Sequence, residues 1–432
     1  MIDSFGVSAY ASLVNKPQNK QIQISDVVVI GGGPAGMMAA ATAAARGLSV
    51  ILLEKNNVLG KKLSITGGGR CNITNNKPDV RKMLASYKDE GKFLFSTFTQ
   101  HGVAESIVWF EDRGVFLKEE NEGRLFPKTE SAETVRDALI KEMKDRKVKV
   151  FSNQEVRSIL HNNNSGSFSV STKDFIYQAK ACVMATGGYA RPETGSTGDG
   201  FGWLEKFGHT INPNENALVP VALKTIWTNK LSGLTLSGVK VSLYSAGKRR
   251  ESKFGRILFT HFGVTGPLVL NMSKSIGDIL PYEKVELRLD LFPQYEPGEF
   301  KDYLKELLQS NKKLQNALAE VLPLQLVKGV LDELKVDGEI PCHSVKKEDR
   351  NILLQYLKSV PLEVEGLLGS DKAIVSSGGV ELNEIDFRTM CSKIVPNLYI
   401  VGDLLNINRP SGGYSLQLCW STGFVAGNSV SK

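Results

Sequence analysis

Gly31, Gly33 and Gly36 stand at the spacing G-x-G-x-x-G, and Glu54 follows Gly36 by eighteen residues. A pyrophosphate needs residues of these types at this spacing. The first glycine permits a tight turn, the second lets the backbone approach the phosphates, and the third lets a helix pack close to a strand. The helix that begins there offers free N–H groups and a partial positive charge to an anion. Glu54 falls where the ribose hydroxyls of an adenosine belong, and a carboxylate there favours an unphosphorylated ribose. A second glycine-rich stretch, residues 60–75, is basic and polar, a composition suited to phosphate or ring contact through backbone N–H groups or to a surface loop. Two side chains with acid chemistry stand apart from these, Cys71 inside the second loop and His261 between Thr260 and Phe262.

The elements around the fingerprint are those that could position it. Residues 26–30 are an apolar, β-branched run of strand length, residues 37–46 are Ala-rich and helical, and residues 49–54 form a second buried strand ending in the carboxylate. The stretch from Val27 to Ala45 carries no charge, but three glycines and a proline at its centre argue against a membrane span. Further on, residues 79–113 read as mainly helical and residues 131–146 as an amphipathic helix with Ser131 as its N-cap. Residues 155–179 read as a β-meander, and 181–188 as a buried strand running into a glycine turn. From about residue 216 the pattern becomes antiparallel strands, then helices interrupted by Pro323. Residues 397–403 are a strand ending in Gly402-Asp403, and Gly412-Gly413-Tyr414-Ser415 opens a last helix.

Composition limits the function classes. With 41% hydrophobic and 23% charged residues, the chain reads as a soluble globular protein of more than one domain. The net charge of +7 permits an anionic partner such as a nucleic acid without demanding one. The basic run Lys248-Arg249-Arg250 is a surface or a phosphate contact. The five cysteines are scattered without a C-x-x-C pair and His is scarce, so neither a disulfide framework nor a metal site is expected. A reducing cytosol is the expected compartment. Residues 1–24 do not read as a signal peptide and are taken as a polar extension.

Several spaced motifs agree: G-G-G-P-A-G (31–36), L-E-K (53–55), G-K-K-L-x-I-T-G-G-G-R-C-N-I-T-N (60–75), A-T-G-G (185–188), G-S-T-G-D-G (195–200), F-T-H-F-G-V-T-G-P (259–267), G-G-V (378–380), Y-I-V-G-D (399–403) and G-G-Y-S-L-Q (412–417). Together they resemble the YhiN-like (BaiN/RdsA-like) family of NAD(P)/FAD-dependent oxidoreductases, over nearly the whole chain after residue 25. The resemblance implies an α/β fold: a discontinuous, glutathione-reductase-type FAD-binding Rossmann domain with inserted β-barrel-like and helical domains. The divisions drawn are a polar extension (1–24), a first FAD-binding part with the meander (25–215), a barrel-like insert (216–295), a helical insert (296–360) and a second FAD-binding part (361–432). Carried over, Gly31, Gly33, Pro34, Ala35 and Gly36 would hold the pyrophosphate, and Glu54, with Lys55 beside it, the adenosine ribose. Lys62, Gly68, Gly69, Arg70, Cys71 and Asn72 would line the flavin side, and Thr186 and Gly187 the adenosine half. Asp403, after Gly402, would bond the ribityl chain, while Gly413, Tyr414 and Ser415 would face the pyrimidine edge, where a helix N-terminus stabilises the reduced ring. The family commonly has Glu where Asp403 stands, Asp at Asn406 and Asn at Ser415.

The activity the resemblance implies is reduction of a carbon–carbon double bond, in a steroid-like bile acid or in uridine of ribosomal RNA. No second nucleotide fingerprint follows a strand, so NAD(P)H is expected as a transient donor. Ribosomal RNA uridine is the favoured substrate, with dihydrouridine as product. A flavin oxidase or reductase of a small amine, ketone or enone is the alternative, and an FAD-stabilised RNA-binding protein a third. Cys71 is read as a proton donor or as a buried packing residue, and His261 as facing the flavin or as a structural histidine.

Overall fold

In the computed structural model, residues 20–212, 218–368 and 378–431 are described. Most of the extension assigned to 1–24, and the division between 215 and 216, lie outside them. The fingerprint strand is longer than its apolar run, spanning Gln21–Ile30. Its polar first half is held by pairing with a neighbour, from Gln21 opposite Phe175 to Ile30 opposite Met184. That neighbour, Phe175–Met184, is one continuous strand joining the end of the expected meander to the buried run after it.

A parallel sheet forms around this pair in the order Leu398–Ile400, Phe175–Met184, Gln21–Ile30, Val50–Leu53, Lys149–Phe151. Val27, Val28 and Val29 are fully buried. Both faces of a parallel sheet are covered, which is why the sequence shows an unbroken apolar run and no alternation. Ile30 stands opposite both Leu53 and Met184, and Met184 opposite Ile400. The carboxyl ends of four strands are therefore level, and Gly31, Glu54, Ala185 and Val401 follow them directly. The crevice outside the carboxyl ends is where open α/β sheets bind ligands.

The fingerprint helix, Pro34–Ala45, starts on Pro34 with Gly33 as its N-cap. It packs closely on the C-terminal helix Tyr414–Ser429. A Cβ on Gly423 would come within 2.4 Å of the Ala35 carbonyl oxygen, and one on Gly427 within 2.4 Å of that of Ala39. The two backbones thus touch at successive turns with the helices running in the same direction, and the last helix begins nine residues before its contact with Ala35, so its N-terminus reaches past the fingerprint helix.

The second core belongs to a closed barrel whose strands neighbour in the order Val221–Leu223, Gly263–Thr265, Lys248–Thr260, Thr235–Ser245, Val285–Asp290, Val360–Leu367. Val241, Leu243, Ile257, Leu287 and Leu362 fill its interior. Helices Pro297–Leu307, Leu324–Leu334 and Lys347–Lys358 bury Phe300, Leu326 and Leu353 in the same cluster. The helical segment 296–360 therefore shares one core with the barrel. Val360–Leu367 is the strand that closes the barrel, so the line drawn at 360/361 cuts through a barrel element.

Candidate cofactor and active site

A cleft of about 630 Å³ opens at the carboxyl edge of the parallel sheet and runs to the barrel wall. Sites that bind small molecules and cofactors have volumes of this order. Gly31, Gly33, Pro34, Ala35, Glu54, Lys55, Lys62, Gly68, Arg70, Asn72, Thr186, Gly187, Gly402, Asp403, Gly413 and Ser415 line it, bringing together fingerprint, second loop and last helix.

At the fingerprint each glycine has its own reason. Gly31 has φ +107°, and a Cβ there would lie 2.4 Å from the Ala185 carbonyl oxygen. Gly36 does not line the cleft; its Cβ would meet the Gly31 carbonyl oxygen at 1.9 Å, so it serves helix–strand packing. Gly33 is the opposite case, since a Cβ there meets nothing within 4 Å and would project into open space. Glu54 is buried; one oxygen accepts from the Gly32 N–H at 2.8 Å and the other from the Asn56 N–H at 2.7 Å. Its carboxylate thereby fixes the turn; Oε1 also accepts from the Asn56 side-chain amide at 2.7 Å, and Oε2, with a single donor, keeps accepting capacity. Lys55 pairs with Asp199, which also lines the cleft, at 2.8 Å. The Thr186 hydroxyl is buried at the cleft without a partner. That oxygen lies against Gly200, whose Cβ would come within 2.1 Å of it, and the open face of Gly33 is the feature of this wall that fits a dinucleotide.

The second loop is wound from left-handed residues. Gly67, Gly68 and Gly69 have φ of +58°, +69° and +84°, and Cys71 has +62°. Gly68 lines the cleft and its Cβ would meet nothing within 4 Å, whereas Gly69 lies off the lining. Arg70 is held by Glu120 at 2.8 Å and stacks 4.3 Å from the centre of the Phe126 ring. Asn72, with its amide turned to accept from the Gly413 N–H at 3.0 Å, donates to the Thr74 carbonyl at 3.0 Å and joins the loop to the start of the last helix.

Asp403 is the electrostatic centre. It follows Gly402, whose φ is +66° and whose N–H donates to the Thr422 hydroxyl at 3.1 Å. Burial alone would raise the Asp403 carboxyl, but the Lys62 and Arg409 cations overcome it and hold the group at about 2. The Lys62 ammonium is 3.0 Å away, and Arg409 bonds the other oxygen. Arg409 is itself buried; it donates to the Ile407 carbonyl at 2.6 Å and from Nε to the Ser415 hydroxyl at 3.1 Å. One guanidinium thus ties the strand-end carboxylate to the first turn of the last helix.

Several expected residues stand elsewhere. Cys71 is fully buried, off the cleft, and burial pushes its thiol up to about 12. Its surroundings are those of the packing alternative. His261 is exposed in the turn after Lys248–Thr260, edge-on to Phe262 at 4.9 Å, and does not line the cleft. Tyr414 also lies off the lining, its hydroxyl accepting from the Lys77 ammonium at 2.7 Å, so the helix start presents Gly413 and Ser415 but not this ring. Asn406 is likewise away from the cleft, its N–H donating to the Val380 carbonyl at 3.3 Å, so the loss of a carboxylate there does not alter the lining. Sequence reasoning missed Arg409 and the barrel's wall, Arg256, Leu258, Thr265, Gly266 and Asn271. The Asn271 side chain accepts from the Ser411 N–H at 3.1 Å, joining the barrel to the loop before the last helix. Among the described residues no cluster of metal-ligating side chains occurs, and no helix is long and apolar enough to cross a membrane.

A family model described as the HI0933-like protein Rossmann domain matches residues 25–429. A 3-dehydro-bile acid delta(4,6)-reductase of Clostridium scindens is 28% identical over 411 residues, covering 94% of this chain and 98% of the relative. A ribosomal RNA dihydrouridine synthase of Escherichia coli strain K12 is 29% identical over 408 residues, with the same two shares covered. Among solved structures, the open form of a flavocytochrome c3 fumarate reductase aligns with a TM-score of 0.53 at 17% identity, covering 94% of this chain and 78% of that one. The 3-ketosteroid-delta4-(5alpha)-dehydrogenase of Rhodococcus jostii RHA1 aligns at 0.51 and 16%, covering 98% and 99%. These two likenesses are of fold.

Proposed function

The chain belongs to the HI0933-like family, the one its motifs resemble, and on that premise we propose that this FAD-dependent oxidoreductase reduces a carbon–carbon double bond of uridine in ribosomal RNA. The observation that carries the reading is the continuity of the cleft, from an open fingerprint at one end to a barrel wall bearing Arg256 and Thr265 at the other. Bound along it, FAD supplies the two-electron redox chemistry. The chain's own residues do the holding. Gly33 and the first N–H groups of the fingerprint helix receive the pyrophosphate. Glu54 and Thr186 take the adenosine half. Asp403, kept ionised by Lys62 and Arg409, accepts from the ribityl hydroxyls. The N-terminus of the last helix, from Gly413 to Ser415, lies toward the pyrimidine edge and favours negative charge there. NAD(P)H reaches the same cleft transiently as the electron donor.

Two features support RNA as the substrate. The chain carries a net charge of +7, and two relatives that match nearly its whole length are ribosomal RNA dihydrouridine synthases. A second reading, reduction of a steroid-like enone, is favoured by the bile-acid reductase at nearly the same identity. Deleting the gene in its host and mapping dihydrouridine in the ribosomal RNA by mass spectrometry separates them. Loss of one dihydrouridine, restored by the wild-type gene, is the expected result. An unchanged map removes the RNA reading and leaves the small-molecule one.

A further inference from the structure

The barrel strand Lys248–Thr260 runs from the protein surface into the cleft. Side chains two apart on a strand share a face and stand about 7 Å from one another. Leu258 and Arg256 line the cleft, and Phe254 is next on that face, 64% exposed. Phe254 pairs across the sheet with Lys240, whose ammonium lies 5.3 Å from the centre of the ring. Opposite Arg256 the neighbouring strand bulges between Leu236 and Val239, with Ser237 and Gly238 exposed, so nothing on that side covers the guanidinium. Of the other arginines that line the cleft, Arg70 is tied to Glu120, Arg191 to Glu193, and Arg124 donates to the Asn121 carbonyl at 2.9 Å, whereas Arg256 forms no ion pair among the described residues and is exposed.

An apolar ring, a free cation at the cleft and a second cation beside the ring recur in sites that receive single-stranded nucleic acid, where bases stack on aromatic faces and the backbone follows positive charge. We propose that Phe254 and Arg256 form a docking ramp for the RNA strand that carries the reacting base. A neighbouring base stacks on Phe254, the intervening phosphate pairs with Arg256, and Lys240 adds attraction for the backbone. The ramp rests on the RNA reading above and deepens it, since it fixes the side from which the strand enters. It also separates the docking face from the basic run Lys248-Arg249-Arg250. That run stands at the far end of the same strand, roughly 20 Å from Arg256, and its Arg250 is paired with Glu283 at 3.1 Å.

The test uses the FAD-loaded full chain and a short fluorescent single-stranded RNA containing uridine, with affinity measured by anisotropy over a series of salt concentrations. Flavin absorbance establishes that each variant is folded holoenzyme. Phe254→Ala is expected to weaken binding about tenfold, with Phe254→Trp restoring it. Arg256→Gln is expected to weaken binding about tenfold and to make the salt slope shallower by about one, with Arg256→Lys keeping the slope. Arg249→Gln, at the far end, leaves affinity within about twofold of wild type. Wild-type binding that both Phe254→Ala and Arg256→Gln retain would overturn the ramp and leave the RNA reading standing. No RNA binding by the wild type would overturn both. A raised KM for NAD(P)H in Arg256→Gln with RNA affinity intact would assign the cation to the nicotinamide nucleotide and overturn the proposal.

Discussion

The two glycine-rich loops at the cleft use glycine for different reasons. At the fingerprint, Gly31 and Gly36 are required by the protein itself, because a Cβ would meet backbone at 2.4 and 1.9 Å. In the second loop, Gly68 and Gly69 have room for a Cβ and are required by backbone conformation, with φ of +69° and +84°. Gly33 belongs to neither group, since it has space and its φ is −78°. The protein makes no demand on it, which leaves a ligand as the reason for its lack of a side chain. A glycine's neighbours thus separate residues that hold the fold from residues that make room for a cofactor.

The largest expected effect is at the packed end. Gly36→Ala sets a methyl against the Gly31 carbonyl, and no flexible side chain is there to yield. Several kcal/mol of stability should be lost, read as a collapse of the thermal midpoint with or without cofactor. Gly33→Val should leave the apoprotein's thermal midpoint close to that of wild type while abolishing cofactor binding. A Gly33→Val protein that unfolds like Gly36→Ala would erase the distinction between glycines that hold the fold and glycines that make room for a cofactor.

Asp403 sharpens the comparison in electrostatic form. Its carboxyl is held at about 2 against an ordinary 3.8, so the folded state favours the charged form by about 2 kcal/mol. A depressed folded pKa contributes stability that is complete above the unfolded value, near pH 4, and is lost as pH falls through about 2. The stability difference between wild type and Asp403→Asn should therefore be constant from neutral pH down to about 4 and then shrink. A difference that grows on acidification would contradict the ion-paired carboxylate. Asp403→Ala should also weaken cofactor binding by roughly 1.5–3 kcal/mol through the lost charge-assisted hydrogen bond.

The smallest effect is expected at Cys71. With its thiol buried and pushed up to about 12, Cys71→Ala should cost about 1 kcal/mol of stability and leave flavin-dependent turnover in place. Loss of turnover in a folded, flavin-loaded Cys71→Ala protein would return the thiol to the role of proton donor.

What the sequence made legible follows the range of the interactions. Gly31, Gly33, Gly36 and Glu54 belong to one local βαβ unit, so spacing alone revealed them. The level carboxyl ends of the sheet depend on strands from residue 21 to residue 400 meeting in register, which local pattern does not encode. Arg409 looked like any basic residue before a glycine turn; its importance arises from where the fold puts Asp403 and Ser415. Arg256 alternates with buried neighbours as any strand residue does, and only closure of the barrel turns its face to the cleft. The resemblance sets Tyr414 on the pyrimidine side and Cys71 on the flavin side, with a packing role as the alternative for Cys71, and the fold puts both side chains in the core. The final strand of the barrel was misassigned for a related reason, since Val360–Leu367 is joined to its sheet by pairing with residues 221–223 and 286–289 and not by proximity in the chain.

The central claim is that the cleft between fingerprint, second loop and last helix holds a whole FAD. The most direct measurement is to purify the wild-type protein under native conditions, release its cofactor by denaturation and identify it by mass. FAD in near-equimolar amount is the expected result, with none recovered from folded Gly33→Val. FMN would contradict the account, because it has no adenosine for Glu54 and Thr186 and no pyrophosphate for Gly33. A folded wild-type protein that neither carries flavin nor takes up added FAD would contradict it as well.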